Sequence, residues 1–310
     1  MWDFREQFST EQRCLEYLIL CKWPEGFKCP HCCGSTYTVL STRKSIQCKS
    51  CRRQLSPMAQ TVMHWSHIPI KKWFEAAYWI ANHTPGMSAL QLQKHLGIGS
   101  YDSAWHMLHR LRKGMVNDER TKLSGLIETD ETIIGGPAKG KKGRGVTASE
   151  NKSLVVGAVE ILVYQSNSGK KKERTGRLRL ALIPDASEDT LGDFLEENAE
   201  TGSRIRTDGW PGYSEAALID FIHHVRVIGK EQIAHKRLPH IHRAFGNLKT
   251  WLNGTHHGVD PKHLQSYLDE YTFRYNRRQT PMAAFQSLLS ISLKRGPLPL
   301  TELASAASTW

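Results

Sequence analysis

The sequence predicts an α/β protein: a mixed sheet flanked by helices, preceded by a small metal-held ribbon and a helical segment. Three observations predict it. Two CxxC pairs crowd into residues 29–51, helical apolar spacing runs through residues 70–113, and β-branched runs alternate with helical patterns after residue 124.

The chain of 310 residues is long enough for two or three domains and at least one sizeable core. Its hydrophobic share of 39% and charged share of 23% are ordinary for a soluble globular protein. The net charge of +12 is not, and Lys and Arg are spread along the whole chain. Such a charge points to a polyanionic partner, of which nucleic acid is the commonest. The plain alternative is a basic but unspecialised surface. The opening MWDFREQFSTEQRC has no apolar signal core, and no stretch approaches the roughly 18 apolar residues of a membrane span, so a cytoplasmic location without membrane contact is expected. All seven cysteines fall at or before Cys51, which favours a metal site over a disulfide framework.

The first element is the ribbon. Cys29-x2-Cys32 is followed, after fifteen residues, by Cys48-x2-Cys51. Each CxxC turn presents two sulfurs to one ion, and TYTVLSTRKSIQC between them reads as a β-hairpin. So short a segment cannot hold itself by core burial, so zinc would supply much of its stability. Four thiolates leave no open position, so this zinc is structural. Cys33 adjoins a ligand, but the pair spacing favours Cys32.

The helical segment comes next. Ile70, Trp73, Phe74, Ala77 and Ile80 share a helical face, and the aromatic residues there read as core. Ser88 caps a short helix to about Leu96, Gly97-Ile98-Gly99 makes a turn, and a second helix begins near Ser100 or Tyr101. Helix, glycine turn, helix is the form of a helix-turn-helix. The second helix offers Tyr101, Ser103, His106, His109, Arg110 and Lys113 on its polar face as DNA contacts. The competing reading is an ordinary helical hairpin with a solvated basic face.

The third element is β-rich. GLIETDETIIGG sets Asp130 in a β-branched run ended by glycines; residues 153–164 and 177–183 read as strands, and residues 187–199 as a helix starting at Ser187. RIRTDGWPGY puts Asp208 at the end of a short strand. That order suits an α/β fold of RNase H type. Acidic groups from different strands can converge on two divalent ions about 4 Å apart, which suits Mg2+ and its oxygen ligands. A lone Asp at a strand end more often serves a turn; the combination with an upstream DNA reader is what strengthens the metal reading. Glu128 shares Asp130's strand face, and both it and Glu131 read as supporting residues. The glycine-spaced run AKGKKGRG offers Lys141, Lys142 and Arg144 as a clamp on a DNA backbone, or merely a solubilising loop. His256, His257 and His263 cluster without a cysteine, so a fold role is expected for them. In YTFRYNRR, Arg274, Arg277 and Arg278 are expected to hold phosphates or an acidic edge of the core.

FKCPHC…QCKSC, IKKWFEAAYWI, SALQLQKHLG, AWHMLHRLR, ETDETIIGG, RTDGWPGY, HRAFGNLKTWLNGTHHGV and YLDEYTFRYNRR span about Phe27 to Phe285. In these segments the chain resembles insertion-sequence transposases with an N-terminal zinc ribbon and a DDE-superfamily, RNase H-like catalytic domain. The resemblance implies that Asp130 and Asp208 are the first two metal-binding carboxylates. Relatives with a glutamate in the third position carry a Lys seven residues later; here Lys249 fits that Lys and places His242 in the third position, with Asn247 as the rival. Residues i and i+7 share a helical face, which suits His242 with Lys249. Phe245, Leu248 and Leu252 would bury an adjacent stripe. A neutral imidazole suits Mn2+ better than Mg2+, and its protonation near neutral pH should lower activity. Lys249 would act as a point charge beside a phosphate.

The resemblance implies a bacterial, nucleoid-associated enzyme that cuts transposon ends and transfers strands with two Mg2+ or Mn2+ ions. Its partners would be double-stranded terminal inverted repeats and target DNA, bound by a homodimer or larger assembly. The expected domains are a zinc ribbon with an N-terminal helix at 1–60, a helix-turn-helix-like segment at 61–120, the catalytic domain at 121–290 and a tail at 291–310. Two other readings stay open: a nuclease without strand transfer, and a catalytically decayed sequence-specific DNA-binding protein.

Overall fold

The computed structural model describes residues 2–135, 152–166, 168–225, 238–299 and 301–302. The basic run with Lys141, Lys142 and Arg144 lies outside them. The chain forms two compact units. The first joins the N-terminal part, up to Asn117, to the chain from Arg277 through the last helix; the second is Asp118–Asn276.

In the first unit, α1 (Trp2–Gln7) and α2 (Glu11–Lys22) precede a three-stranded antiparallel sheet of β1 (Tyr37–Leu40), β2 (Ser45–Cys48) and β3 (Gln54–Leu55). The hairpin expected between the CxxC pairs is β1–β2, in register from Tyr37 opposite Cys48 to Leu40 opposite Ser45. Then come α3 (Ile70–Asn82), α4 (Ala89–Leu96), α5 (Tyr101–Lys113) and, after the second unit, α9 (Pro281–Lys294). Local sequence places α4 and α5. Ser88 and Gln91 form a reciprocal capping box at the start of α4, and Ser100 caps α5. Gly97 ends α4 at φ 57, a left-handed conformation that costs a glycine little. Helix, glycine turn and helix therefore stand where the sequence set them.

No side chain of its own first turn caps α3, which starts after Pro69. Glu11 replaces the cap from a distance, its two carboxylate oxygens accepting the N–H groups of Ile70 at 2.7 Å and Lys71 at 2.9 Å. Trp73 and Phe74 are buried as expected, and Phe74 belongs to an aromatic cluster with Phe4, Phe8, Tyr17, Tyr78 and Phe285.

The second unit is a five-stranded mixed sheet in the order β6-β5-β4-β7-β8, flanked by helices. Its elements are β4 (Leu126–Gly135), β5 (Lys152–Gln165), β6 (Lys171–Ile183), α6 (Glu188–Asn198), β7 (Arg204–Thr207), β8 (Ile222–Val225), α7 (Pro239–His256) and α8 (Leu264–Asn276). Strands β4, β5 and β6 pair antiparallel, while β7 lies parallel to both β4 and β8. The strand β8 and the early part of β6 are additions to the expected order. Period-two alternation divides the core. Ile127, Val156, Ala158, Ala181 and Ile205 pack with Leu191, Phe194 and Leu195 of α6. On the other face, Val155, Val159, Leu178 and Leu180 pack with Ile241, Phe245, Leu248 and Leu252 of α7 and Leu268 of α8. Gly157, opposite Asp130, lets α7 approach: a Cβ there would stand 2.7 Å from the Phe245 ring. No helix among the described residues is long and apolar enough to cross a membrane.

Candidate metal centres and active site

The four ribbon sulfurs of Cys29, Cys32, Cys48 and Cys51 lie within 4.8 Å of one another. Cys29 Sγ stands 3.8 Å from Cys51 Sγ, and Cys32 Sγ 3.6 Å from Cys48 Sγ. A Zn–S bond of about 2.3 Å gives a tetrahedron with edges of about 3.8 Å, so the donor set fits zinc. The two turns mirror each other. The N–H of Cys33 donates to the Cys29 carbonyl and that of Arg52 to the Cys48 carbonyl, with both donors at positive φ. Backbone N–H groups of Cys51 and Ser50 pull the Cys48 thiol down, while hydrogen bonds with Cys51 and Cys48 push the Cys32 thiol up. Cys33 is exposed and outside the cluster.

The second centre forms where β4 meets β7 and α7. Asp130 is 8% exposed, at the middle of the central strand. Asp208 follows the last residue of β7 directly, its Oδ1 accepting the N–H of Trp210 at 2.9 Å. From α7, His242 brings Nε2 to 3.3 Å from Asp130 Oδ2. Burial, then repulsion from Glu131 and Asp208, pushes the Asp130 carboxyl up to about 7. Glu131 is also pushed up to about 7, by burial and by Asp208. Tyr213 donates its hydroxyl hydrogen bond to Glu131 and is itself buried, with its phenol raised well above the ordinary value. Glu131 and Asp208 thus act on the Asp130 carboxyl by repulsion, while its Oδ2 faces the His242 imidazole.

Other expected residues fall differently. Lys249 and Asn247 are both exposed on α7, while Phe245, Leu248 and Leu252 are buried as expected. On α5, Tyr101 is exposed, Ser103 joins the Ser100 cap, and His106 is half-buried. Arg110 donates to the His64 carbonyl at 3.0 Å, and Lys113 reaches Glu302 at 3.0 Å. His109 is not on the polar face as expected: it is 2% exposed, because at four residues after Trp105 it falls on that residue's face of the helix, ring against ring. The expected fold role of the histidine cluster is visible at His256, which packs between Trp251 and Tyr267, and at His257, the left-handed C-cap of α7. Arg274 pairs with buried Glu270 at 3.5 Å and lies over Trp251.

Sequence reasoning missed a third constellation. Glu128, Glu173 and His240 bring ligand atoms within 4.8 Å of one another. Arg206 already supplies their positive charge, bonding both oxygens of Glu173 at 2.9 and 3.2 Å and standing 3.7 Å from Glu128. Those hydrogen bonds hold Glu173 below the ordinary carboxylate range, whereas burial raises Glu128. The available signal was the period of two that sets Glu128 beside Asp130 on β4 and Arg206 two residues before Asp208 at the end of β7.

A four-thiolate ribbon and an α/β sheet that brings several carboxylates near one another define a class: a zinc-ribbon protein with a carboxylate-bearing α/β domain. Residues 122–276 match the model of the ISXO2-like transposase domain, and residues 9–54 match the transposase zinc-ribbon domain. The chain belongs to the ISXO2-like transposase family. It is also similar to a protein of Halobacterium salinarum described as an uncharacterized protein in transposable element ISH50. The two are 22% identical over 302 residues, which cover 92% of this chain and 98% of the relative.

Proposed function

We propose that the chain is a DNA transposase that cuts transposon ends and joins them to target DNA. The observation that carries this reading is His242 at 3.3 Å from Asp130, beside Asp208, within a domain that matches a transposase family. Asp130, Asp208 and His242 would hold two Mg2+ or Mn2+ ions, which when bound would activate the attacking oxygen and stabilise the leaving one. Glu131 adds negative charge to the same point, and its bond from Tyr213 fixes its direction. Lys249, exposed on the helix of His242, would hold a DNA phosphate by its charge. The reaction is two in-line displacements without a covalent enzyme intermediate. The first cuts the phosphodiester and frees a 3′-hydroxyl; the second joins that hydroxyl to a target strand.

The ribbon and the α4–α5 pair would read the terminal inverted repeats, with Tyr101, Ser103 and His106 at the freer end of α5 and Arg110 and Lys113 behind them. Lys141, Lys142 and Arg144 would add backbone contacts. Two ends held together require a dimer or larger assembly on DNA, in the cytoplasm beside the nucleoid. Of the expected domains, the ribbon at 1–60 and the helical segment at 61–120 would serve recognition and the catalytic region expected at 121–290 would end near Asn276, because α9 (Pro281–Lys294), which crosses the expected start of the tail at 291, lies in the first unit. A labelled end incubated with supercoiled target and Mn2+ tests the function. Joined product supports a transposase. Cleavage without joining makes the chain a nuclease, and DNA binding without any cleavage in Mg2+ or Mn2+ makes it a DNA-binding protein.

A further inference from the structure

The helix that carries His242 has no cap of its own. It starts after Leu238, with Pro239 at its first position and no side-chain cap bond from Leu238. Its leading N–H groups are therefore orphans that something else must accept. Glu128 does so across 112 positions of sequence: one carboxylate oxygen, Oε2, accepts His240 N–H at 2.8 Å and Ile241 N–H at 3.1 Å. The residue is fully buried, 0% exposed, two places from Asp130 on the same strand face. A carboxylate at a helix N-terminus also meets the positive end of the helix dipole. From the side, the His240 ring stands 3.3 Å from Glu173.

We infer that Glu128 is a positioning residue that sets where His242 stands against Asp130. One rigid strand carries both the metal-site carboxylate and the anchor of the helix that brings the imidazole, so the separation of Asp130 and His242 is fixed by two residues of backbone. The Glu128–Glu173–His240 constellation is thereby a helix socket, charged by Arg206, and not a second metal site. The inference rests on the proposed role of His242 as a metal-site residue.

The test is a double-mutant cycle on the zinc-loaded full chain, with Mn2+ alone as the probe and its affinity read by the electron-spin resonance signal of free Mn2+. His242→Ala and Glu128→Ala should each weaken Mn2+ by about tenfold or more, the range seen for groups that orient metal ligands. Together they should weaken it little beyond either alone, because Glu128 acts through His242. Glu128→Gln should restore most of the affinity, since its single carbonyl oxygen can still accept both N–H groups. It also keeps the cycle readable where Glu128→Ala melts the unit. Losses that multiply in full in the double variant overturn the positioning role while leaving the metal site intact. Failure of Glu128→Gln to restore affinity overturns it as well. Unchanged Mn2+ affinity in His242→Ala overturns both the inference and the reading of His242 beneath it.

Discussion

The zinc ribbon and the acidic centre both gather like groups around a point, but they are specified in opposite ways. The ribbon's four sulfurs come from two mirrored turns within residues 29–51, each folded by its own backbone bonds. In the second unit Asp130 of β4 meets His242 of α7 at 3.3 Å, and that helix is anchored by Glu128 of the same strand, more than a hundred residues away in sequence. The same contrast separates helices. Ser88 and Ser100 cap α4 and α5 from within, whereas Glu11 and Glu128 cap α3 and α7 from afar. Local devices can fold a segment without the rest of the protein; remote ones work only once the sheet and its helices have assembled.

The largest effect should come from the local centre. Removing zinc with a chelator, or replacing Cys48 with Ser, withdraws a metal contribution on the order of 10 kcal/mol. The expected outcome is loss of the β1–β3 ribbon while the sheet of the second unit persists. Amide signals of both units, followed by NMR during chelation, check it; a ribbon intact without zinc breaks the comparison.

The acidic centre should respond in function. Asp208→Ala should lower end cleavage in Mn2+ by at least about a thousandfold, with DNA affinity in a gel shift unchanged. A fall in both would mean that Asp208 shapes the fold and not the chemistry.

A smaller effect tests the crowding of charge. Asp130 and Glu131 stand at about 7 when folded, against ordinary values of 3.8 and 4.5. The folded chain therefore binds more protons than the unfolded one in that window. The stability tied to these groups is full below about pH 4 and is lost as pH rises through 7. With zinc retained and no Mg2+ or Mn2+ added, Asp130→Asn should stabilise the second unit at pH 8 by about 1–3 kcal/mol. Denaturant melts of both chains measure this, and a destabilised Asp130→Asn chain contradicts the crowding. The smallest effect is Ser88→Ala, expected to cost about 1 kcal/mol through the lost cap of α4 and to leave the second unit unmoved.

These effects follow the line between what the sequence shows and what it hides. The CxxC spacing, Ser88, the glycine turn and the strand-end Asp208 are all local signals, and each stands where its signal set it. His109 was misplaced although it stands four residues after Trp105 and so shares its helix face, where the two rings meet. Glu173, Arg206 and His240 were hidden because their partners lie on separate strands and a helix, brought together only by the order of the sheet. Glu128 was visible as a neighbour of Asp130, yet its task is to hold a helix more than a hundred residues away.

We propose that Asp130, Asp208 and His242 hold one divalent-metal centre. Iron-directed backbone cleavage tests it most directly: Fe2+, ascorbate and peroxide are added to the zinc-loaded full chain, and the fragments are mapped by mass spectrometry. Cuts are expected close to residues 130, 208 and 242, and they should vanish in Asp208→Asn. Cuts near Glu173 without any near Asp208, or a pattern that Asp208→Asn leaves unchanged, would contradict it.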